Sequence, residues 1–322
     1  MPIHSLGYRE WSGQLTTARS QWTVIASIGI RRAWQSMWLR RIVFFAWVPG
    51  VMMAVLIYLF EQAASEGQAS AFMTGGIVQL FLGRTEREAI RDTFAVNASA
   101  IPDLVKYRHA FWCSLLQVLY QRSQAIMLIP VVGITAPPLI SQDVRSRAFL
   151  LYFSRPISRT QYIFGKAATV ACYVLAISLL PGILLYCTGV LLSPDISIVL
   201  ATWDIPIRIL GVTVTMVIPT TCLGLMLSSL TTETRFASFA WFAVWIFGFF
   251  AYLVTSSFVN SGARTPLEML SLFHVIADVQ GWLLDVRPNT EIDIVAPLTV
   301  LSMVTLVSLT ILYKRVSASM SA

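Results

Sequence analysis

Apolar residues along this chain collect into six runs nearly free of charge, at positions 42–60, 124–140, 167–192, 209–230, 236–259 and 294–313. Each approaches the ~20 residues a helix needs to cross ~30 Å of hydrocarbon. The pattern predicts an all-α polytopic membrane protein with six transmembrane helices.

The polar segments between the runs are sorted by sign. The 141–166 loop carries Arg145, Arg147, Arg155, Arg159 and Lys166 against Asp143 alone. In contrast, 260–293 holds Glu268, Asp278, Asp285, Glu291 and Asp293 against Arg264 and Arg287, and 193–206 holds Asp195 and Asp204 without a cation. Short basic loops stay in the cytoplasm, so both termini, the 141–166 loop and the 231–235 turn are expected on that side.

The long segment 61–123 balances six cations against six acids and lies beyond the reach of the charge rule. Its apolar stretches, 71–82 and 110–120, are too short to span and are read as helices packed at the outer interface. Ahead of the first run, 21–41 mixes Trp22, Trp34 and Trp38 with Arg31, Arg32, Arg40 and Arg41. That composition fits either an interfacial helix or an extension of the first span into the cytoplasm. An amphipathic stretch at 266–284 precedes the last span on the outer side.

Charged residues are 12% of the chain, about half the ~25% of a soluble domain, and hydrophobic ones 56%. No segment is left to build a separate globular core. A single membrane domain over 1–322 is expected: a cytoplasmic or interfacial segment 1–41, a six-helix bundle 42–313 and a cytoplasmic tail 314–322. The net charge of +7 flanks the spans, where anionic lipids attract Lys and Arg, which argues for membrane lipid and against nucleic acid. Cys113, Cys172, Cys187 and Cys222 lack metal-type spacing and read as small hydrophobes. The polar N-terminal 40 residues do not resemble a secretory signal.

Within the basic loop, Val144, Ala148, Leu151 and Tyr152 share one helical face, while Asp143 and Arg147 project elsewhere. A short amphipathic helix over 141–153, stopped by Pro156, is therefore predicted. Ser158 and Gln161 form a capping box, with Ile157 and Tyr162 placed as its hydrophobic staple, for a new helix entering the third span. Helix, sharp turn and helix could transmit a push from a cytoplasmic partner. By periodicity alone the same loop could instead anchor neighbouring spans at the interface.

The stretch LISQDVRSRAFLLYFSRPISRTQYIFGK resembles the signature of ABC-2 type transporter permeases at Asp143, Arg145, Arg147, Ala148, Ser154, Arg155, Pro156, Ser158, Arg159, Gly165 and Lys166. The six-span layout, the Trp- and Arg-rich helix before the first span and the polar turn SSLTTETR extend the likeness. Asp143 and Ala148 depart mildly from the family's usual Glu and Gly or Ser. The resemblance implies an exporter-like permease subunit in the cell membrane. Its 141–166 loop would dock on a separate ABC ATPase, and a second permease copy would complete the pathway. Asp143, Arg145 and Arg147 would contact that ATPase by charge; Val144, Ala148, Leu151 and Tyr152 would pack, Arg155 would flank the turn and Pro156 would fix the bend.

The chain has no phosphate-cradling G-x-x-x-x-G-K-[ST], since Gly165-Lys166 is followed by Ala167 and preceded by Thr160 where the first Gly would stand. Hydrolysis of ATP is thus expected on a separate subunit, with no cofactor on this one. No ionisable residue falls deep within the six runs, which argues against a proton-coupled carrier. Thr213, Thr215, Thr220 and Thr221 add polarity to the fourth run, and Gly211-x-x-x-Thr215 and Gly224-x-x-x-Ser228 could seat a neighbouring helix. Prolines at 49, 130, 137, 138, 181 and 219 permit kinks, and the fifth run is crowded with aromatics. His109 and Cys113 stand four apart, too few for a metal site, and no arrangement of His and carboxylates suggests an enzyme. A membrane-integral accessory or anchoring protein is the alternative to a permease; the substrate is not legible.

Overall fold

The computed structural model describes residues 21–66, 72, 104–148, 157–258, 268–286 and 294–318. Six helices among them are long and apolar enough to cross a membrane: Met37–Ser65, Arg108–Arg145, Arg159–Leu192, Asp204–Leu230, Thr234–Ser256 and Val295–Ser317. No strand occurs among the described residues. Each of the six predicted runs coincides with one of these spans; 236–259 runs past Ser256 and 294–313 starts one residue before Val295, while 71–82 lies outside the described residues apart from Phe72.

Helix α1 (Gln21–Trp34) is separate from α2 (Met37–Ser65). The break follows from Ser36, whose extended backbone ends one helix and whose hydroxyl accepts from the Leu39 amide to cap the next. This resolves the two readings of 21–41 against a continuous extension. Trp38, Arg40 and Arg41 begin α2, whereas Trp22 and Trp34 belong to α1.

The second span, α3, is longer than the sequence suggests. It joins Leu104–Val118, a π turn at Leu119–Gln124, Ala125–Thr135 and Pro137–Arg145. Residues 110–120 are consequently its first half and not an interfacial helix: Phe111, Trp112, Leu115, Leu116 and Tyr120 are all buried. The polar run QRSQ at 121–124 reads as a boundary in the sequence, yet in the fold it is a π turn inside one continuous helix.

The remaining elements are α4 (Arg159–Leu192), the short α5 (Ile198–Ala201), α6 (Asp204–Leu230), α7 (Thr234–Phe258), a 3-10 turn (Glu268–Leu270), α8 (Leu272–Leu283) and α9 (Val295–Ala318). Helix α6 packs against α3, α4, α8 and α9 and so occupies the middle of the bundle. Contrary to the amphipathic expectation, α8 is no surface helix: Val275 to Gly281 are buried without interruption. Of the fifth-run aromatics, Trp241 and Trp245 are buried and Phe236, Phe239, Phe247 and Phe250 are exposed on the outer face. This divides them between packing and lipid.

Helix α1 lies along the start of α4, where Gly165 lets the Ile25 side chain and Trp22 carbonyl approach and Tyr173 donates to the Ile30 carbonyl at 2.6 Å. The Gly224–Ser228 pair seats α6 on α3: a Cβ at Gly224 would meet Ala136 Cβ at 2.9 Å and Val132 Cγ1 at 3.1 Å. Gly224→Leu should therefore cost about 1–3 kcal/mol and lower the melting temperature of the detergent-solubilised protein. Gly211→Ala, whose added Cβ would sit 3.5 Å from Leu283, should leave it unchanged.

Candidate functional site

The end of the bundle that carries the basic loop is held by buried polar contacts with a local sequence cause. Pro137 and Pro138 lack amide hydrogens, which frees carbonyls one turn earlier. One of them, Gly133, accepts from Ser238 at 3.4 Å, and Trp241 Nε1 donates to the Ile129 carbonyl at 2.8 Å. The Ser228 hydroxyl on α6 accepts from the Ile140 and Ser141 amides, each at 3.1 Å, and donates to the Pro137 carbonyl at 2.6 Å. Ser141 Oγ lies 3.1 Å from Thr234 Oγ1 on α7. Helices α3, α6 and α7 are thus cross-linked where α3 ends.

One turn further, Asp143 Oδ2 receives Lys166 Nζ at 2.7 Å and the Tyr162 hydroxyl at 2.8 Å. The Asp143 and Lys166 side chains are only 12% and 9% exposed. Lys166 also lies over the Tyr162 ring, 5.4 Å from its centroid. This joint ties the end of α3 to the start of α4 across the loop. A charge buried with its counter-ion and a hydroxyl donor is tolerated, whereas removing either partner strands the other.

Asp143 therefore faces inward to α4 instead of outward to a partner. The residues after it do the reverse. Arg145 and Arg147 are exposed, Val144 and Ala148 are half-buried, and Leu151, Tyr152, Arg155 and Pro156 lie outside the described residues. The expected separate helix over 141–153 is also corrected as far as 148. Helix α3 runs without a break to Arg145 and then terminates, with Ala148 N donating to the Asp143 carbonyl at 2.9 Å and Arg147 N to the Val144 carbonyl at 3.2 Å. That is a Schellman end with Arg147, at φ 53°, in the left-handed position that glycine usually fills. No glycine signals the stop, so periodicity carries the predicted helix past it.

On the far side of the loop the capping box is formed: Gln161 N donates to Ser158 Oγ at 3.3 Å and Ser158 N to Gln161 Oε1 at 3.1 Å. Outer contacts join the surrounding helices. Arg145 Nη1 reaches Glu233 Oε2 in the α6–α7 turn at 3.1 Å, and Arg159 Nη1 donates to Ser317 Oγ on α9 at 3.1 Å. The first pair is 66% and 46% exposed, so it contributes little stability and its arginine can be drawn into another contact.

The opposite end has its own ionic anchors, whose pairings the sequence does not predict. Glu61 accepts a bidentate pair from Arg108 at 2.8–3.0 Å, fully inside the bundle. Asp204 receives Arg208 Nε at 2.6 Å and lies 2.9 Å from His109 Nε2, so His109 is engaged with a carboxylate while Cys113 Sγ stands 3.9 Å from its other nitrogen. No group of three metal-ligating side chains occurs among the described residues. In the turn after α4, the amide and hydroxyl of Ser197 hold the Asp195 carboxyl below its ordinary range. In the fourth span, Thr215 and Thr220 bond carbonyls of their own helix, while Thr221 has a buried hydroxyl without a hydrogen-bond partner.

With six apolar helices and this cross-linked basic end in place, the chain is a multi-pass membrane protein of the transporter class. It belongs to the ABC-2 family: the family model described as ABC-2 family transporter protein matches residues 23–317. No match is found among curated proteins. The match begins within α1 and ends within α9, so it takes in every described span.

Asp143→Asn or Lys166→Met alone should destabilise the protein by about 3–5 kcal/mol, and the two together by less than their sum, as a double-mutant cycle of thermal unfolding would show. Arg147→Gly should have the opposite sign, leaving stability equal or raising it by up to ~1 kcal/mol, because glycine enters the left-handed region without strain.

Proposed function

We propose that this chain is the permease subunit of an exporter in the cell membrane and couples to a separate ATP-hydrolysing subunit through the exposed basic end of the bundle. The observation that carries the reading is the buried Asp143–Lys166–Tyr162 joint directly beneath the exposed Arg145 and Arg147. A partner pressing on a floppy loop would move only the loop. Here the same push acts on α3, and through the joint and the Ser228 contacts it reaches α4 and α6 as well.

In this reading the termini and the 141–166 loop face the cytoplasm, where the positive charge of Arg145, Arg147 and Arg159 favours an acidic groove on the ATPase. Two copies of the chain, each with an ATPase carrying the nucleotide, enclose the pathway within a single membrane domain per copy. Closure of the ATPases on ATP moves both basic ends and rocks the bundles between inward and outward states. Asp143 serves by fixing the joint, while Arg145 and Arg147 make the contact.

Purification from the native membrane in mild detergent, followed by mass spectrometry of stoichiometric partners, tests the reading. An ATPase with a phosphate-binding loop should co-purify with the unaltered chain. Arg145→Glu combined with Arg147→Glu should abolish that association while leaving insertion and melting temperature unchanged. Recovery of the chain without an ATPase, under conditions that preserve other transporter complexes, would favour an accessory or anchoring role.

A further inference from the structure

Two interhelical registers fix the level at which the basic end of α1 meets α2. Helix α1 runs parallel to α4 and in step with it. The Trp22 carbonyl approaches Gly165, the Ala26 carbonyl accepts from Thr169 at 3.4 Å and the Ile30 carbonyl from Tyr173 at 2.6 Å, successive contacts being four positions apart on both helices. Tyr173 also packs with Leu39, Val43 and Ala46 of α2. The end of α1, with Arg31 and Arg32, and the start of α2, with Arg40 and Arg41, thus stand at one level of the bundle. Deeper along α2, a Cβ built on Gly50 would lie 3.4 Å from Pro181, and both residues fall near the middles of the apolar runs 42–60 and 167–192. Arg40 and Arg41 are about 14–15 Å from Gly50 along α2 at 1.5 Å per residue, which is half of the ~30 Å of hydrocarbon. The four arginines therefore lie where hydrocarbon gives way to headgroups.

All four are exposed, and none pairs with a carboxylate among the described residues. Arg40 and Arg41 share a groove of about 480 Å³ with Met37, Phe44 and Phe45. Arg41 lies over the Trp38 ring, 5.6 Å from its centroid, so its guanidinium is positioned without its charge being neutralised. Beyond the groove the same face of α2 continues through the exposed Val48, Val51, Met52 and Val55. From Phe44 to Val55 this apolar strip is about 16 Å long at 1.5 Å per residue, the depth of one leaflet. Cations at headgroup level thus sit at the head of a strip the length of an acyl chain.

We propose that the joint of α1 and α2 is a binding site for one anionic phospholipid of the adjacent leaflet. Arg40 and Arg41 hold the phosphate, Arg31 and Arg32 add to the positive field around it, and an acyl chain lies along Phe44, Phe45 and the strip beyond. A soluble phosphate would satisfy the charge and leave the strip uncovered. A zwitterionic lipid would cover the strip but bring an ammonium among arginines; an anionic lipid meets both requirements. Its charge offsets the repulsion among four cations gathered at one turn of the chain. The bound lipid also steadies α1 against the segment of α4 that carries Lys166. The site does not depend on the coupling reading and stands whether or not an ATPase binds.

Native mass spectrometry of the full chain in detergent, titrated with dioleoyl phosphatidylglycerol, dioleoyl phosphatidylcholine or glycerol phosphate, tests the site. The first phosphatidylglycerol should bind about tenfold more tightly than phosphatidylcholine, or better, with no glycerol phosphate adduct in the same range. Arg40→Gln combined with Arg41→Gln should abolish the preference, whereas Arg145→Gln combined with Arg147→Gln, which removes the same charge elsewhere, should retain it. Equal affinity for the two lipids, or a preference that survives the first pair or is lost as fully in the second, would overturn the proposal. Glycerol phosphate binding as tightly as phosphatidylglycerol would overturn it in favour of a soluble anion. A second measurement needs no variant: phosphatidylglycerol with a diazirine in its acyl chain should label peptides from 44–55, and unlabelled phosphatidylglycerol, but not phosphatidylcholine, should compete that label away. Labelling spread evenly over the exposed spans, or indifferent to the competitor, would contradict the site.

Discussion

The buried contact of Lys166 and Tyr162 with the Asp143 carboxylate is the constraint on which the basic end of this protein depends. In water such a pair would contribute little. Within the bundle its separation would leave a charge without solvent or partner, so the ends of α3 and α4 move as one unit. Two hydroxyls extend that unit to α6 and α7, Ser228 by accepting from the Ile140 and Ser141 amides and Ser141 by meeting Thr234 Oγ1. A rigid base with two exposed arginines just beyond it is a suitable arrangement for receiving force.

The same helix that ends in this joint also carries the π turn half a membrane away. Helix α3 thus links three chemically distinct levels: the bidentate Glu61–Arg108 pair at one end, Arg122 and Gln124 in the middle, and Asp143 at the other. All three levels lie on the single span Arg108–Arg145. Small residues on α6 bring that helix close against α3, where Gly224 faces Ala136 and Val132.

Much of this was legible in the sequence, for identifiable reasons. The six spans emerge because uncharged runs of the right length have few other physical solutions, and the capping box at Ser158 because its two side chains act locally. Gly224-x-x-x-Ser228 also performs as its spacing suggests. What the sequence hid depends on partners distant along the chain. Asp143 looks like a surface acid until Lys166 and Tyr162 fold over it. QRSQ at 121–124 looks like the edge of a span because hydropathy counts polar residues without knowing that a π turn can carry them inside. The stop after Arg145 escapes notice because Arg147 takes a left-handed conformation that sequence associates with glycine. Helix α8 looks interfacial because one face is more apolar, yet its polar Gln280 is fully buried as well.

The central claim is that the partner ATPase contacts the exposed arginines while the acid beneath them stays inside. Site-specific photo-cross-linking in the native membrane tests it directly, with a photoreactive side chain placed at position 147 in one chain and at position 162 in another. The account predicts a cross-link to an ATP-hydrolysing subunit from 147 and only intramolecular products from 162. A cross-link from 162 with none from 147 would contradict it, since the partner would then be reaching the joint itself and not the surface above it.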